Sequence, residues 1–227
     1  MRRTLVIMAK APIVGKVKTR LCPPLGAQSA ALLHESFIRD AFEKASSVPD
    51  AETVMAYGPR GTASFFRETA CDADGYILQR GSHLGERISN CFDRLSERGR
   101  SVVVMGADSP TLPARCLELA FDVLDTGRAD TVLGPTSGGG FYLVGLLSPQ
   151  PKLFGDVVWS GPNVAAASVE KAKELGLRMH LLPEWYHVDR SVHLAHLRAE
   201  LLERKVTNRA ARHTRERLQS FVERGLL

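Results

Sequence analysis

Apolar residues recur along the chain in two rhythms. Short aliphatic and β-branched runs at Thr4–Ala9, Glu52–Tyr57, Tyr76–Gln79, Val102–Met105, Thr131–Gly134, Phe141–Gly145 and Arg178–Leu182 have the length and composition of strands. Between several of them the spacing lengthens to a helical period. From Leu84 to Gly99 the residues Leu84, Ile88, Phe92 and Leu95 share one face, with Gly99 as the stop. Pro113 to Asp125 repeats this with Leu117, Ala120, Phe121 and Leu124, and Pro113 suits a first helical turn. Ser160-Gly-Pro162 opens a further helix that runs through Leu175 and ends at Gly176. Helical spacing returns from Val192 to about Leu202, and Thr207 to Leu227 is amphipathic.

Alternation of these two rhythms predicts βα units on a mostly parallel central sheet, an α/β/α sandwich of three layers. Phe141–Gly145 follows Thr131–Gly134 too closely for a helical crossover, so one of the two is expected to run antiparallel or to leave the sheet. No internal repeat or low-complexity linker divides the chain, and 227 residues suffice for one well-buried core. Residues 1–204 are read as one domain and 205–227 as a basic helical extension.

Charge changes the picture at the first loop. Thr4-Leu-Val-Ile-Met-Ala9 runs into Lys10-Ala-Pro-Ile-Val-Gly-Lys-Val-Lys-Thr-Arg-Leu21, and no acidic residue precedes Glu35. A buried parallel strand followed by a loop with Pro12 and Gly15 brings backbone N–H groups, Lys16, Lys18 and Arg20 toward phosphates, so a nucleoside diphosphate or triphosphate is the expected ligand.

The rest of the composition mainly excludes. With 44% hydrophobic and 24% charged residues and no apolar run near membrane length, the chain is expected to be soluble. The N-terminus passes directly into a strand pattern without the features of a signal peptide, and a cytoplasmic location is expected. Cys22, Cys71, Cys91 and Cys116 lack C-x-x-C spacing and read as reduced packing residues. The net charge of +5 is uneven, since from Glu203 onward seven Lys/Arg face three Glu. Phe221 is the one aromatic there, which argues against nucleic acid and for a solvated helix or a contact between copies in a homo-oligomer.

Three further segments carry candidate chemistry. Val102-Val-Val-Met-Gly-Ala-Asp108-Ser-Pro110 ends a hydrophobic strand in one acid, which places Asp108 at the ligand-binding edge of an open sheet. There it can hold Mg²⁺ or Mn²⁺ against phosphate oxygens; the competing role is a helix cap. Gly134-Pro-Thr-Ser-Gly-Gly-Gly140-Phe-Tyr142 lets backbone approach a ligand, with Phe141 or Tyr142 as a wall, or is a hairpin connection. In the loop from Gln79 to Arg87, Arg80 is the candidate for base or ribose and Glu86 a helix-start residue. His83, His180, His187, His193, His196 and His213 read as surface histidines.

Seven segments in order, from Met8-Ala-Lys-Ala-Pro-Ile-Val-Gly-Lys-Val-Lys-Thr-Arg-Leu21 through Gln79-Arg-Gly-Ser-His-Leu-Gly-Glu-Arg87, Gly106-Ala-Asp-Ser-Pro110, Ala129-Asp-Thr-Val-Leu-Gly-Pro135, Gly139-Gly-Phe-Tyr-Leu-Val-Gly145 and Val158-Trp-Ser160 to His187-Val-Asp189, carry a resemblance. Together they resemble the bacterial transferase family associated with radical-SAM and selenodomain proteins, of the arsenosugar-biosynthesis glycosyltransferase type. The resemblance implies a GT-A-like nucleotide-diphospho-sugar transferase fold. It maps Ala9, Lys10, Ala11, Gly15, Lys16, Lys18 and Arg20 to the nucleotide loop, Asp108 to the catalytic metal ligand and Asp189 to a second ligand. From the residues alone, Asp189 is equally a helix cap or salt-bridge partner. Gly139, Gly140, Phe141 and Trp159 are assigned to the acceptor or sugar pocket.

Two departures stand out. Gly138 occupies the place of the family's acid in Asp-Gly-Gly-Tyr-Tyr, and the late segment reads Val-Asp-Arg-Ser-Val-His where the family has Val-Asp-Thr-Pro-Glu-Asp. Both remove negative charge near the expected centre. The expected activity is glycosyl transfer from a nucleotide-sugar to a small-molecule acceptor with a divalent metal. Its alternatives are a nucleotidyltransferase of the molybdenum-cofactor or phospholactate guanylyltransferase type, acting on a nucleoside triphosphate, and a nucleotide-binding protein without turnover.

Overall fold

The computed structural model describes residues 2–96, 100–155, 157–159, 161–203 and 211–227. Gly99 as a helix stop, Ser160 as a helix opening and the 204/205 boundary therefore lie outside the described residues.

All seven expected strands form one sheet: β1 (Arg2–Lys10), β2 (Ala51–Gly58), β3 (Gly75–Leu78), β4 (Arg100–Gly106), β5 (Thr131–Pro135), β6 (Phe141–Leu146) and β7 (Met179–Leu181). The order is β3-β2-β1-β4-β6-β5-β7. Pairs β1–β2, β1–β4, β2–β3 and β5–β7 are parallel, whereas β6 runs antiparallel to both β4 and β5, as the short connection after β5 requires. The mostly parallel α/β/α sandwich is thus the observed fold.

Strand β1 shows why. Leu5, Ile7 and Ala9 enter the core on one face while Val6 enters the core on the other, because successive side chains alternate across the sheet. Both faces are covered, so the strand reads as a continuous apolar run. Each fully buried Leu, Ile or Val contributes roughly 1.5–3 kcal/mol relative to exposure.

Three of the covering helices, α3 (Leu84–Leu95), α4 (Ala114–Asp125) and α5 (Val164–Glu174), follow the expected periodicity. Two others have no counterpart in the sequence reading: α1 (Ala27–Ser46) and the short α2 (Ala63–Thr69). Helix α1 is buried on two sides. Ile38, Ala41 and Ala45 face the sheet, while Ala30, Leu33 and Phe37 join a separate core with α6 (Ser191–Arg198) and α7 (Arg212–Glu223). Buried His34, Ser36, Asp40 and Lys44 interrupt its apolar stripe, which hides the helical period.

A π-helical turn, Ala199–Glu203, continues α6. Helix α7 docks Leu218 and Phe221 beside α1. Its first turn is capped from a distance: the Asp40 carboxylate accepts from His213 N and Thr214 N, both at 2.9 Å. Among the described residues no helix is long and apolar enough to cross a membrane.

Candidate functional site

Strands β2 and β4 lie on opposite sides of β1, so the chain's connections diverge between β1 and β4, and a cleft of about 490 Å³ opens at their C-terminal ends. Open α/β sheets bind ligands at such a point. The floor is Met8 to Lys10 from β1 and Val104 to Gly106 from β4; one wall is Phe141 and Tyr142 from β6, the other Leu84, Arg87 and Ile88 from α3.

Beyond β1 the chain turns through Gly15, whose φ of 73° is the left-handed conformation glycine adopts without strain. This brings Lys16 to Arg20 back along the cleft. Lys10, Lys16 and Arg20 are exposed there. Lys18 is different: its side chain is only 5% exposed, and its ammonium lies 2.7 Å from Asp108 Oδ1 and 2.8 Å from Asp189 Oδ1. It also donates to Val188 O at 2.8 Å.

Two segments distant in sequence hold the two acids together. Val188 N donates to Asp108 O at 2.9 Å, Ser109 Oγ to Tyr186 O at 2.8 Å, and Thr111 Oγ1 to the Tyr186 hydroxyl at 2.9 Å. Buried Lys44 of α1 clasps the turn after Asp108 by donating to Ser109 O and Pro110 O at 3.3 and 2.9 Å. Neither acid caps a helix in this arrangement. The N-cap positions of α4 and α6 are Pro113 and Arg190, and both acids turn toward Lys18 instead.

Histidines complete the floor. His34 Nε2 lies 3.0 Å from Lys10 O, and its Nδ1 is 3.8 Å from Asp108 Oδ1. His187 also lines the cleft, which corrects its reading as a surface histidine. Burial drives both imidazoles below their ordinary pKa, outweighing the nearby carboxylates, so both are neutral at pH 7. Burial alone would raise Asp108, but the charge of Lys18, joined by His34 and His187 at the acidic pH where they are protonated, holds it well below the carboxylate range. Lys18 moves up, since the two carboxylates outweigh its desolvation. Burial lowers Lys44 to about 8.

The acids have the chemistry to hold a divalent ion. Two hard oxygen donors converge on one cationic point, and Asp108 Oδ1 is buried with no hydrogen-bond partner among the described residues despite its ion pair with Lys18. A second group of ligand types, Asp40, Glu43 and His213, also converges. Its oxygens already accept from the first turn of α7, with Glu43 Oε1 2.7 Å from Arg212 and 2.8 Å from His213 Nε2.

Of the residues singled out by sequence, Ala9, Lys10, Lys16, Lys18, Arg20, Asp108, Phe141 and Asp189 meet at the cleft. Ala11 is buried behind it, donating to Gly58 O at 2.7 Å. Arg80 faces a shallow neighbouring depression with Gly81 and Glu86, and Arg87 is the arginine on the cleft wall. Gly140 and Gly139 form the turn between β5 and β6. At Gly139 (φ 80°) a Cβ would lie 1.5 Å from Pro162 O, so only glycine lets that segment approach. Trp159 stands behind the wall, edge-on to Phe141 at 6.2 Å and against Gly85, where a Cβ would lie 2.1 Å from its ring. Glu86 accepts from Ser82 N at 2.6 Å and helps to order the start of α3.

Sequence reading missed His34 and Gln79. His34 sits in the helix whose period is hidden. Gln79, at the end of the third expected strand, donates to Ala9 O and Ala56 O at 3.1 and 2.8 Å and ties the cleft floor to β2; an amide at a strand's C-terminal end was the available signal.

Known structures share this architecture. A crystal structure from Desulfovibrio desulfuricans G20, provisionally named a nucleotide-diphospho-sugar transferase, is similar at 26% identity, with 98% of this chain and 96% of that one covered and a TM-score of 0.84. CMP:2-keto-3-deoxy-manno-octonic acid synthetase complexed with CTP is similar in fold at 12% identity, over 89% of this chain and 99% of that one, with a TM-score of 0.59. Molybdopterin-guanine dinucleotide biosynthesis protein A from Archaeoglobus fulgidus is similar in fold at 14% identity, over 96% and 99%, with a TM-score of 0.52. No curated protein matches the sequence. The pattern of DUF2064, described as an uncharacterized protein conserved in bacteria, matches residues 41–161, from within α1 through β6 and beyond, and the chain belongs to that family.

Proposed function

We propose that this protein is a transferase acting on a nucleotide-activated donor, with glycosyl transfer from a nucleotide-diphospho-sugar as the first reading. The observation that carries it is the meeting of Asp108 and Asp189 at the sheet's ligand-binding edge, in a cleft flanked by Lys10, Lys16, Arg20 and Arg87. Likeness to the Desulfovibrio structure, named for that class, supports it, as does the resemblance to arsenosugar-type glycosyltransferases.

In this reading the exposed cations take the diphosphate and Phe141, backed by Trp159, faces the sugar or acceptor. Asp108 and Asp189 hold Mg²⁺ or Mn²⁺, which when bound neutralises charge on the leaving diphosphate. Among the described residues lining the cleft these two are the only carboxylates, consistent with Gly138 in place of an acid. Of the two neutral histidines on the cleft, His187 then accepts the acceptor's proton, while His34 stays held at Lys10 O. His187→Gln is expected to lower turnover by about 100-fold while leaving donor affinity unchanged, read as kcat against donor KM. Residues 1–204 form the catalytic body, located in the cytoplasm, and α7, within the basic extension 205–227, packs against α1.

Nucleotidyl transfer is the second reading, favoured by the fold shared with the CTP-bound synthetase. Incubation with Mn²⁺, nucleoside triphosphates and nucleotide-sugars, followed by product analysis, separates the readings. Release of a nucleoside diphosphate from a nucleotide-sugar supports glycosyl transfer. Pyrophosphate released from a triphosphate overturns it in favour of the second reading, and binding without either product overturns both.

A further inference from the structure

Lys18 does not behave as a phosphate-gripping lysine. Its backbone is left-handed, with φ 49° and ψ 32°, a conformation that costs energy in a residue with a Cβ. That conformation turns the side chain inward, away from the exposed Lys16 and Arg20 on either side. The ammonium then sits between Asp108 Oδ1 and Asp189 Oδ1, with Val188 O as a third oxygen and the Phe37 ring centroid 5.5 Å away. Three oxygens around one cationic atom form the donor set a small cation would use. Yet the match is imperfect, because Asp108 Oδ1 makes its 2.7 Å contact outside hydrogen-bond geometry.

We propose that Lys18 is an internal counter-ion that keeps the Asp108–Asp189 pair together before a divalent ion binds and yields the pair to that ion. This rests on the reading of the pair as a metal site. One ammonium leaves two carboxylates with a net negative charge, so the pair still attracts a dication. An ammonium and a dication cannot share the same oxygens at contact distance, since their repulsion grows as the inverse of separation. Lys18 therefore moves as the ion enters, its strained backbone relaxes, and its charge is released toward the neighbouring diphosphate position. The carboxylates gain a partner in each state, and metal and donor binding become coupled through one side chain.

Mn²⁺ binding without nucleotide, followed by the EPR signal of the free ion, tests this in the wild type, Lys18→Met and Asp108→Asn. Lys18→Met should bind Mn²⁺ at least tenfold more tightly than the wild type, and Asp108→Asn should bind it more weakly. Equal or weaker binding by Lys18→Met, with binding still lost in Asp108→Asn, overturns the counter-ion role and leaves the metal reading intact. Absence of Mn²⁺ binding in both wild type and Lys18→Met overturns the metal reading and the counter-ion role with it. The unmodified protein provides a check that does not depend on a variant's folding. In peptide mapping by mass spectrometry, acylation of Lys18 should accelerate at least fivefold when Mg²⁺ is added; an unchanged rate overturns the proposal.

Discussion

Two clusters of acid and lysine lie along helix α1, alike in composition and different in burial and state. At its N-terminal half, Asp108 pairs with Lys18 and keeps an oxygen without a hydrogen bond, facing a cleft. Farther along, Asp40 is 1% exposed, accepts from two backbone N–H groups of α7, and has its pKa raised by burial. The lysines differ in the same way: Lys18 is moved up by two carboxylates and Lys44, facing carbonyls, is lowered to about 8. Burial alone therefore does not mark a functional acid. What distinguishes Asp108 is a full charge, an unfilled coordination and access to a ligand, whereas Asp40 is satisfied by the fold itself.

Exchanging the roles should fail in opposite assays. The largest effect is expected at Asp108: Asp108→Asn should lower metal-dependent turnover by about 100-fold or more, with a thermal midpoint within a few degrees of wild type. Retained metal-dependent turnover would place the catalytic charge elsewhere. Asp40→Ala should do the reverse. It removes a cap and leaves buried N–H groups unpaired, which costs about 2–3 kcal/mol in denaturant unfolding, while nucleotide affinity of the folded protein stays unchanged.

The lysine contrast predicts a pH effect of fixed sign. Between the folded pKa of about 8 and the ordinary lysine value of 10.5, the unfolded chain holds more protons on Lys44 than the folded one, so stability rises with pH. From pH 8 to 9 the rise should be at most about 1.4 kcal/mol, read from urea midpoints, and absent in Lys44→Met. Above that window buried Cys91, pushed up to about 12, acts in the opposite sense by keeping its proton in the fold. The smallest test compares arginines. Arg87→Ala should weaken nucleotide binding about fivefold, roughly 1 kcal/mol, and Arg80→Ala should leave it nearly unchanged; the reverse order would move the donor site toward the shallow depression.

Strands were the most legible part of the fold because burial on both sheet faces writes itself as uninterrupted apolar runs, and the length of one connection showed that β5 or β6 breaks the parallel order, without saying which. Helix α1 was not, since it packs on two sides and carries four buried polar residues in its interior. Missing it concealed His34, Asp40 and Lys44 together. The cationic loop and the strand-end acid were visible, whereas the division of labour within the loop was not: Lys16, Lys18 and Arg20 alternate evenly in sequence, and one left-handed residue sends Lys18 inward.

By itself, the sequence determined the strands of the sheet, the helices α3, α4 and α5 packed on it and the strand end at which Asp108 stands, all of which follow from local periodicity and short-range geometry. Tertiary structure alone decided which charges meet. Asp108 and Asp189 are 81 positions apart in sequence, and hydrogen bonds from Val188, Ser109 and Thr111 join their segments and bring them around one ammonium. Electrostatic interaction falls off over a few ångströms in space, a distance that spacing along the chain does not encode.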